Sequence, residues 1–317
     1  MSVVLQNSPK SRLMAHLRLM RPANIVTALA DIAAGFAAAM AMGNIALANN
    51  EALQEWLVLQ DQLPLLLWLC LATIGLYGGG VVFNDVFDAE LDKIERPERA
   101  IPSGQASITS ASLLGGLLLL MGIVAAWQVG QTSGLLAIAI ALLALLYDAW
   151  GKHQLYFGPL NMGLCRGFNL LLGVSAVPAL LPQLWYLGII PVVYIAAITM
   201  ISRGEVHGGN RKALQGGLFM YAAVVVTILV LAFFTGAAWW QVIPFVALFA
   251  YLIFPPLLEA LRKQDARFIG KAVKAGVLSL IVLNAALATA FAGWMWGLAI
   301  LLLLPISRLM ARSFAVT

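Results

Sequence analysis

Charge is what this sequence has least of. Asp, Glu, Lys and Arg make up 10% of its 317 residues, against 62% hydrophobic residues and a mean hydropathy of +0.92. That balance excludes an ordinary soluble domain and makes the chain a membrane protein before any motif is read. Cysteine is nearly absent: Cys70 and Cys165 both lie inside apolar stretches. Two such residues exclude a disulfide framework and a thiolate metal centre, and both read as small core residues. The first 20 residues contain no long apolar core, so no cleavable signal peptide is expected. No nucleic-acid partner is expected.

The uncharged runs are long. Residues 64 to 84, 107 to 129, 131 to 147 and 167 to 201 carry no Asp, Glu or Lys, and a span needs about 20 apolar residues. Residues 213 to 258 would extend roughly 69 Å as one helix, which is two spans with a turn at "FFTGAAWWQ". Residues 275 to 307 are too long for one span, and "FAGWMWG" divides them. The pattern predicts an all-α polytopic membrane protein of nine transmembrane helices with a possible short tenth. It also predicts one transmembrane domain from 21 to 317, preceded by a basic segment, 1 to 20, whose "LMAHLRLMRP" suits a surface amphipathic helix.

Lys and Arg are absent from alternate connections. Residues 43 to 63 hold only Glu51, Glu55 and Asp61, whereas Lys10, Arg12, Arg18 and Arg21 precede the first span. Lys93, Arg96 and Arg99 follow the second, Lys152 the fourth, Arg203, Arg211 and Lys212 the sixth, and a basic cluster from Arg262 to Lys274 the eighth. Basic loops stay in the cytoplasm, so the expectation is a multi-pass inner-membrane protein with a cytoplasmic N-terminus.

Against this scarcity, "FNDVFDAELDKIERP" gathers Asp85, Asp88, Glu90, Asp92 and Glu95 at the end of an apolar run. On one continuous helix, Asn84, Asp85, Asp88, Asp92 and Glu95 fall within an arc of roughly 100°. Like charges so placed repel, and carboxylates around one cavity suit Mg²⁺, a cation of oxygen ligands that bridges protein to phosphate. Arg96 and Arg99 follow, able to hold phosphate oxygens by paired hydrogen bonds.

The stretch "NDVFDAELD", with "ERPERAIPSGQAS" after it, resembles the first aspartate motif of the UbiA superfamily of intramembrane prenyltransferases. "RPAN" at Arg21 to Asn24 resembles the family's entry to its first span, and "YDAWGK" at Tyr147 to Lys152 its segment after the fourth. The resemblance implies a UbiA-type helical bundle that uses Mg²⁺ to bind an isoprenoid (allylic) diphosphate. It implies transfer of the prenyl group to a lipophilic or aromatic acceptor. Asp85, Asp88, Asp92 and Asn84 would hold the metal, with the three aspartates catalytic. Arg96, Arg99, Lys152, Arg21 and Asn24 would bind substrate. Tyr77, Phe83 and Phe168 are either shelter for a cation or core packing.

The family's second motif, roughly Asp-x-x-x-Asp, is missing. In its place stands "ISRGEVHGGNRKA", where by this resemblance Glu205 would replace one aspartate as a catalytic group, Gly209 or Asn210 falls near the other, and Arg203 and His207 would add substrate-binding groups that the usual motif lacks. Three readings stay open: an altered active site, a site for a different anionic ligand, or a fold without catalysis. Arg166 is a further candidate for substrate binding, with Asn169 nearby in "GLCRGFNLLLG". An ionisable residue inside a span faces a cavity or a partner, and a structural ion pair with Asp31 of the first span is the alternative. These segments are similar to the UbiA-like proteins of the bacterial Ebo gene clusters. That branch implies a role in exporting or processing secondary-metabolite precursors.

Overall fold

The computed structural model of the chain describes residues 9–47, 62–204 and 208–314. Every regular element among them is helical. The elements used below are α1 (Pro9–Leu19), α2 (Pro22–Leu47), α3 (Gln62–Phe87), α4 (Ala89–Glu95), α5 (Ile108–Val129) and α6 (Gln131–Ala149). They continue with α7 (Phe157–Val174), α8 (Ile189–Ser202), α9 (Arg211–Phe234), α10 (Trp239–Lys263), α11 (Ala266–Ala292), α12 (Trp294–Leu301) and α13 (Leu303–Ser313).

Nine segments among the described residues are long and apolar enough to cross a membrane. The number agrees with the sequence reading, but the membership differs. The segment Trp294–Ala311 is one of the nine, while α7 is not. The uncharged run from residue 167 holds only the second half of α7; the helix starts at Phe157, and "NMGLCRG" is helical and carries Asn161 and Arg166 into the bundle interior. Those polar residues lower its hydropathy without excluding it from the bundle, since they are satisfied by protein rather than by lipid.

The bundle surface is a lipid-facing sheath of large apolar residues, among them Leu113, Leu120, Trp127, Phe219 and Phe234. Lipid offers no hydrophobic drive between helices, so close packing of small residues holds such bundles together. At the contact of α2 with α7, a Cβ on Gly35 would overlap the carbonyl oxygen of Leu170, and one on Gly173 would overlap that of Ile32. The two backbones touch reciprocally. Gly35→Ala is therefore expected to destabilise the protein by about 1–3 kcal/mol through overpacking, read as a lowered unfolding midpoint in detergent. Phe36→Leu serves as the control for a change on the same helix that adds no backbone clash.

The N-terminal helix does not lie free on a surface. Ala15 and Leu19 of α1 are buried, and Leu19 joins Val82, Ala89, Ile101, Ala106, Ala111 and Leu118 in a small apolar cluster beside the acidic stretch. His16 is hydrogen-bonded to Ser110 at 3.1 Å, which ties α1 to the start of α5. That start is fixed locally, because Ser107 and Ser110 cap it reciprocally and satisfy its free N–H groups. Arg21, with a positive φ of 47°, makes the corner between α1 and α2.

Candidate functional site

Helices α2, α3, α6, α7, α8 and α11 surround one cavity of about 480 Å³, and α4 lies across its mouth. Its walls are apolar, with Leu76, Val81, Ile140, Ile195, Ile198 and Leu280 among them. Asn84, Asp88, Asp92, Glu95, Arg96 and Arg99 line the mouth.

The acidic stretch is not one continuous helix. Helix α3 ends at Phe87 and α4 begins at Ala89, with Asp88 as the junction at φ −88°, ψ 1°. Of the five groups expected to face the cavity, Asn84, Asp88, Asp92 and Glu95 do so, and Asp85 does not line it. Asp85 is buried and held by two guanidinium groups, Arg21 at 2.8 Å and Arg99 at 3.4 Å. Arg99 also reaches Asp92 at 2.7 Å, and Lys152 reaches Asp88 at 2.5 Å. The repulsion expected among these carboxylates is thus relieved by the protein's own cations. Arg99 and Lys152, expected to grip phosphate, are occupied by carboxylates here, and Lys152 stands behind Asp88 rather than on the cavity wall. Arg96 is exposed at the rim.

The expected second half of the site is only partly described. Glu205 and His207 lie outside the described residues. Arg203 does not line the cavity; it donates to the carbonyl oxygens of Gln154, at 3.2 Å, and of Leu155. Its guanidinium therefore joins the end of α8 to the loop that carries Lys152. Gly208 and Gly209 have left-handed φ values of 70° and 75°, which glycine adopts without strain. Asn210 spends its side chain on the N-cap of α9, accepting from the Ala213 N–H at 3.2 Å. In place of the missing aspartate there is a helix cap.

Arg166 makes the structural ion pair and also stands on the cavity wall. Its Nε lies 2.8 Å from Asp31, which is fully buried, and the residue also lines the cavity. Asn169 and Asn24 line it too. Tyr77 lies beneath the guanidinium at 5.7 Å and is the one of the three aromatic candidates on the wall; Phe83 packs against Phe87 instead. Cys165, read as core, also reaches the cavity.

No three Asp, Glu, His or Cys residues among the described ones are grouped to hold a metal ion unaided. The donors at the mouth nevertheless fit Mg²⁺. They are all oxygen, and Mg²⁺ commonly uses one or two carboxylates and completes its shell with water and substrate phosphate. Lys152 contacts Oδ1 of Asp88 and Arg99 contacts Oδ2 of Asp92, so each carboxylate keeps a second oxygen without a protein partner among the described residues.

Residues 36–274 match the model of the UbiA prenyltransferase family. The chain belongs to this family. A curated relative, the digeranylgeranylglyceryl phosphate synthase of Methanococcoides burtonii, is 35% identical over 96 residues, which is 30% of this chain and 34% of the relative. The chain thus spans about a third of the length of that relative. A solved structure described as giving insights into digeranylgeranylglyceryl phosphate synthase in membranes superposes with a TM-score of 0.63 at 20% identity, covering 89% of this chain and 99% of the other. A UbiA homologue from Archaeoglobus fulgidus, solved with DMAPP and Mg²⁺, superposes with a TM-score of 0.57 at 15% identity, covering 82% and 98%. The fold is therefore the UbiA fold.

Within this UbiA-family cavity, the sequence reading missed Asp148. It is 4% exposed, lines the cavity, and accepts a hydrogen bond from Asn84 at 2.9 Å. Unlike Asp31, Asp85, Asp88 and Asp92, it has no cation within ion-pair distance among the described residues. Its signal in the sequence is an acid directly after the uncharged run 131 to 147, inside the "YDAWGK" segment and before the end of α6. Thr27, Tyr147 and Ser202 also line the cavity, and none carries a charge that would have drawn notice.

Proposed function

We propose that the chain is a Mg²⁺-dependent intramembrane prenyltransferase that moves an isoprenoid from an allylic diphosphate to a lipophilic or aromatic acceptor. The observation that carries this reading is the cavity: apolar walls inside a membrane bundle, opening through a mouth where Asp88 and Asp92 stand beside Arg96, Arg99 and Lys152. The name of the curated relatives and the DMAPP and Mg²⁺ bound to the Archaeoglobus homologue support it.

Asn84, Asp88 and Asp92 would hold the metal, with Asp85 fixing Arg21 and Arg99 behind them. When bound, Mg²⁺ offsets negative charge on the leaving diphosphate. Arg96, Arg99 and Arg21 present N–H groups to its oxygens, and for Arg99 a diphosphate is a more highly charged partner than the carboxylates it holds now; Lys152, behind Asp88, adds positive charge to the mouth. The allylic C–O bond breaks with its electron pair going to diphosphate. The acceptor then bonds to the allylic carbon and releases a proton. Apolar walls keep water from the allylic cation, and the Tyr77 ring offers it a π face.

The basic connections support a reading in which the mouth and the N-terminus lie on the cytoplasmic side of the inner membrane. In this reading residues 21 to 317 are one transmembrane domain, preceded in sequence by the basic segment 1 to 20. The Ebo-type branch remains part of this proposal through "ISRGEVHGGNR" and "GLCRGFNLLLG".

The test uses purified protein in lipid nanodiscs with labelled dimethylallyl, geranyl and geranylgeranyl diphosphates, plus a membrane lipid extract as acceptor source. Saturable binding that weakens at least ~10-fold on chelation of Mg²⁺, with diphosphate release on adding acceptor, is the expected result. Absence of both binding and release would sink the proposal. Binding without release would favour a second reading, a non-catalytic protein that holds an anionic amphiphile for export. The existing neutralisation of Asp85, Asp88 and Asp92 by Arg21, Arg99 and Lys152 is the observation on that side.

A further inference from the structure

Away from its acidic mouth, the cavity has a second polar surface, where Arg166, Thr27, Asn24, Asn169 and Tyr77 line the wall. An unpaired guanidinium in this position would be a receptor for anions. Arg166 is not unpaired. Asp31 contacts its Nε at 2.8 Å and accepts from its Nη2 at 3.2 Å, and the Thr27 carbonyl also accepts from Nη2, at 2.9 Å. Two amides from different helices brace the carboxylate: Asn169 of α7 donates at 3.2 Å and Asn284 of α11 at 2.6 Å. Asn169 is itself fixed, because its Oδ1 accepts from Thr73 of α3 at 2.7 Å. The 2.8 Å contact of Nε with Asp31 is an ion pair without hydrogen-bond geometry, and Nη1, whose one hydrogen bond among the described residues is 3.4 Å to the Thr27 hydroxyl, is the other under-used donor. The wall here offers N–H and O–H groups, and the ion pair behind it carries no net charge.

We propose that this wall seats the polar group of the acceptor, and that the Asp31–Arg166 pairing selects an uncharged group, a hydroxyl or carbonyl, over a carboxylate or phosphate. This inference rests on the prenyl-transfer reading above. A hydroxyl or carbonyl oxygen accepts from Nη1 and brings no charge into an apolar chamber. An anion would arrive beside a guanidinium whose charge Asp31 already balances, so its desolvation would go largely uncompensated. The spacing suits an acceptor lying between the two polar surfaces. Arg21 sits at the corner just before α2, and Thr27 lies about 7.5 Å of helix rise beyond Pro22, which leaves room for one ring between the diphosphate and this wall. Asp31 is a positioning residue in this scheme, acting through Arg166.

Two probes that share a ring separate the possibilities: 4-hydroxybenzyl alcohol and 4-hydroxybenzoate, one uncharged and one a carboxylate. Their equilibrium binding is measured on the purified full chain in nanodiscs with Mg²⁺ and an unreactive thiolo analogue of geranyl diphosphate. Wild type is expected to prefer the alcohol by about ten-fold or more, the equivalent of ~1.4 kcal/mol. Asp31→Asn, which leaves Arg166 unbalanced, is expected to move that ratio toward the carboxylate by a similar factor. A purely structural Asp31 would weaken both probes alike, which would overturn the positioning role. Equal or reversed preference in wild type overturns the inference, as does binding of neither probe while the diphosphate analogue still binds. If wild type fails to bind the diphosphate analogue as well, the prenyl-transfer reading falls and takes this inference with it. Should Asp31→Asn not fold, the wild-type comparison decides alone.

Discussion

Replacing Asp88 with alanine is expected to abolish Mg²⁺-dependent diphosphate binding and to lower prenyl transfer by on the order of 10²-fold or more, while the bundle stays folded. Asp88 lies at the junction of α3 and α4, partly exposed at the cavity mouth, and its one ion pair is with Lys152 at 2.5 Å. Its loss removes no apolar packing, and the backbone bonds around it, Asp88 N–H to Asn84 and Asp92 N–H to Asp88, do not use the side chain. The consequence for ligands is specific in sign. Without its carboxylate, Lys152 becomes an uncompensated cation, so weak diphosphate binding in the absence of Mg²⁺ should persist or increase. Binding measured with and without Mg²⁺, beside a thermal unfolding scan, checks both halves. An Asp88→Ala protein that still binds diphosphate more tightly with Mg²⁺ than without would remove Asp88 from the metal site.

The sequence disclosed more of the bundle than of its wiring. Uncharged runs located the membrane helices because so few charges interrupt them, and at α7 the run shows only half of the helix because Arg166 breaks it from inside the protein. The acidic mouth was legible as a cluster, since five acids in a chain this poor in charge stand out. Which cation answers which acid was not legible. Arg21 meets Asp85 and Lys152 meets Asp88 across 64 residues each, and Asn284 reaches Asp31 across 253. Periodicity carries no information at such separations. The kink at Asp88 was hidden as well, because its backbone keeps helical i to i−4 bonding while its dihedrals leave the helix. Asp148 escaped notice where Arg166 did not: an acid at the end of an apolar run looks like a solvated helix end, and only the packing of α6 against α3 and α7 shows it buried.

The Asp31–Arg166 pair supplies the other large effect. Arg166→Met is expected to destabilise the protein by about 3–5 kcal/mol, since it leaves a carboxylate buried in the bundle with its charge unanswered. Asp31 is fully buried, and with Arg166 gone its remaining side-chain contacts are the amides of Asn169 and Asn284. Those amides soften the loss without supplying a charge. The double variant Asp31→Leu/Arg166→Met should be markedly less destabilised than Arg166→Met alone, because an apolar pair of similar bulk restores neutrality and packing together. Unfolding midpoints of the two single variants and the double variant, taken in the same detergent, give the coupling directly. Additive losses would mean that the pair is not coupled and that Arg166 is held by Thr27 alone. A recovered fold with reduced acceptor binding would separate the two duties that one guanidinium performs: joining α2 to α7, and presenting a donor to the cavity.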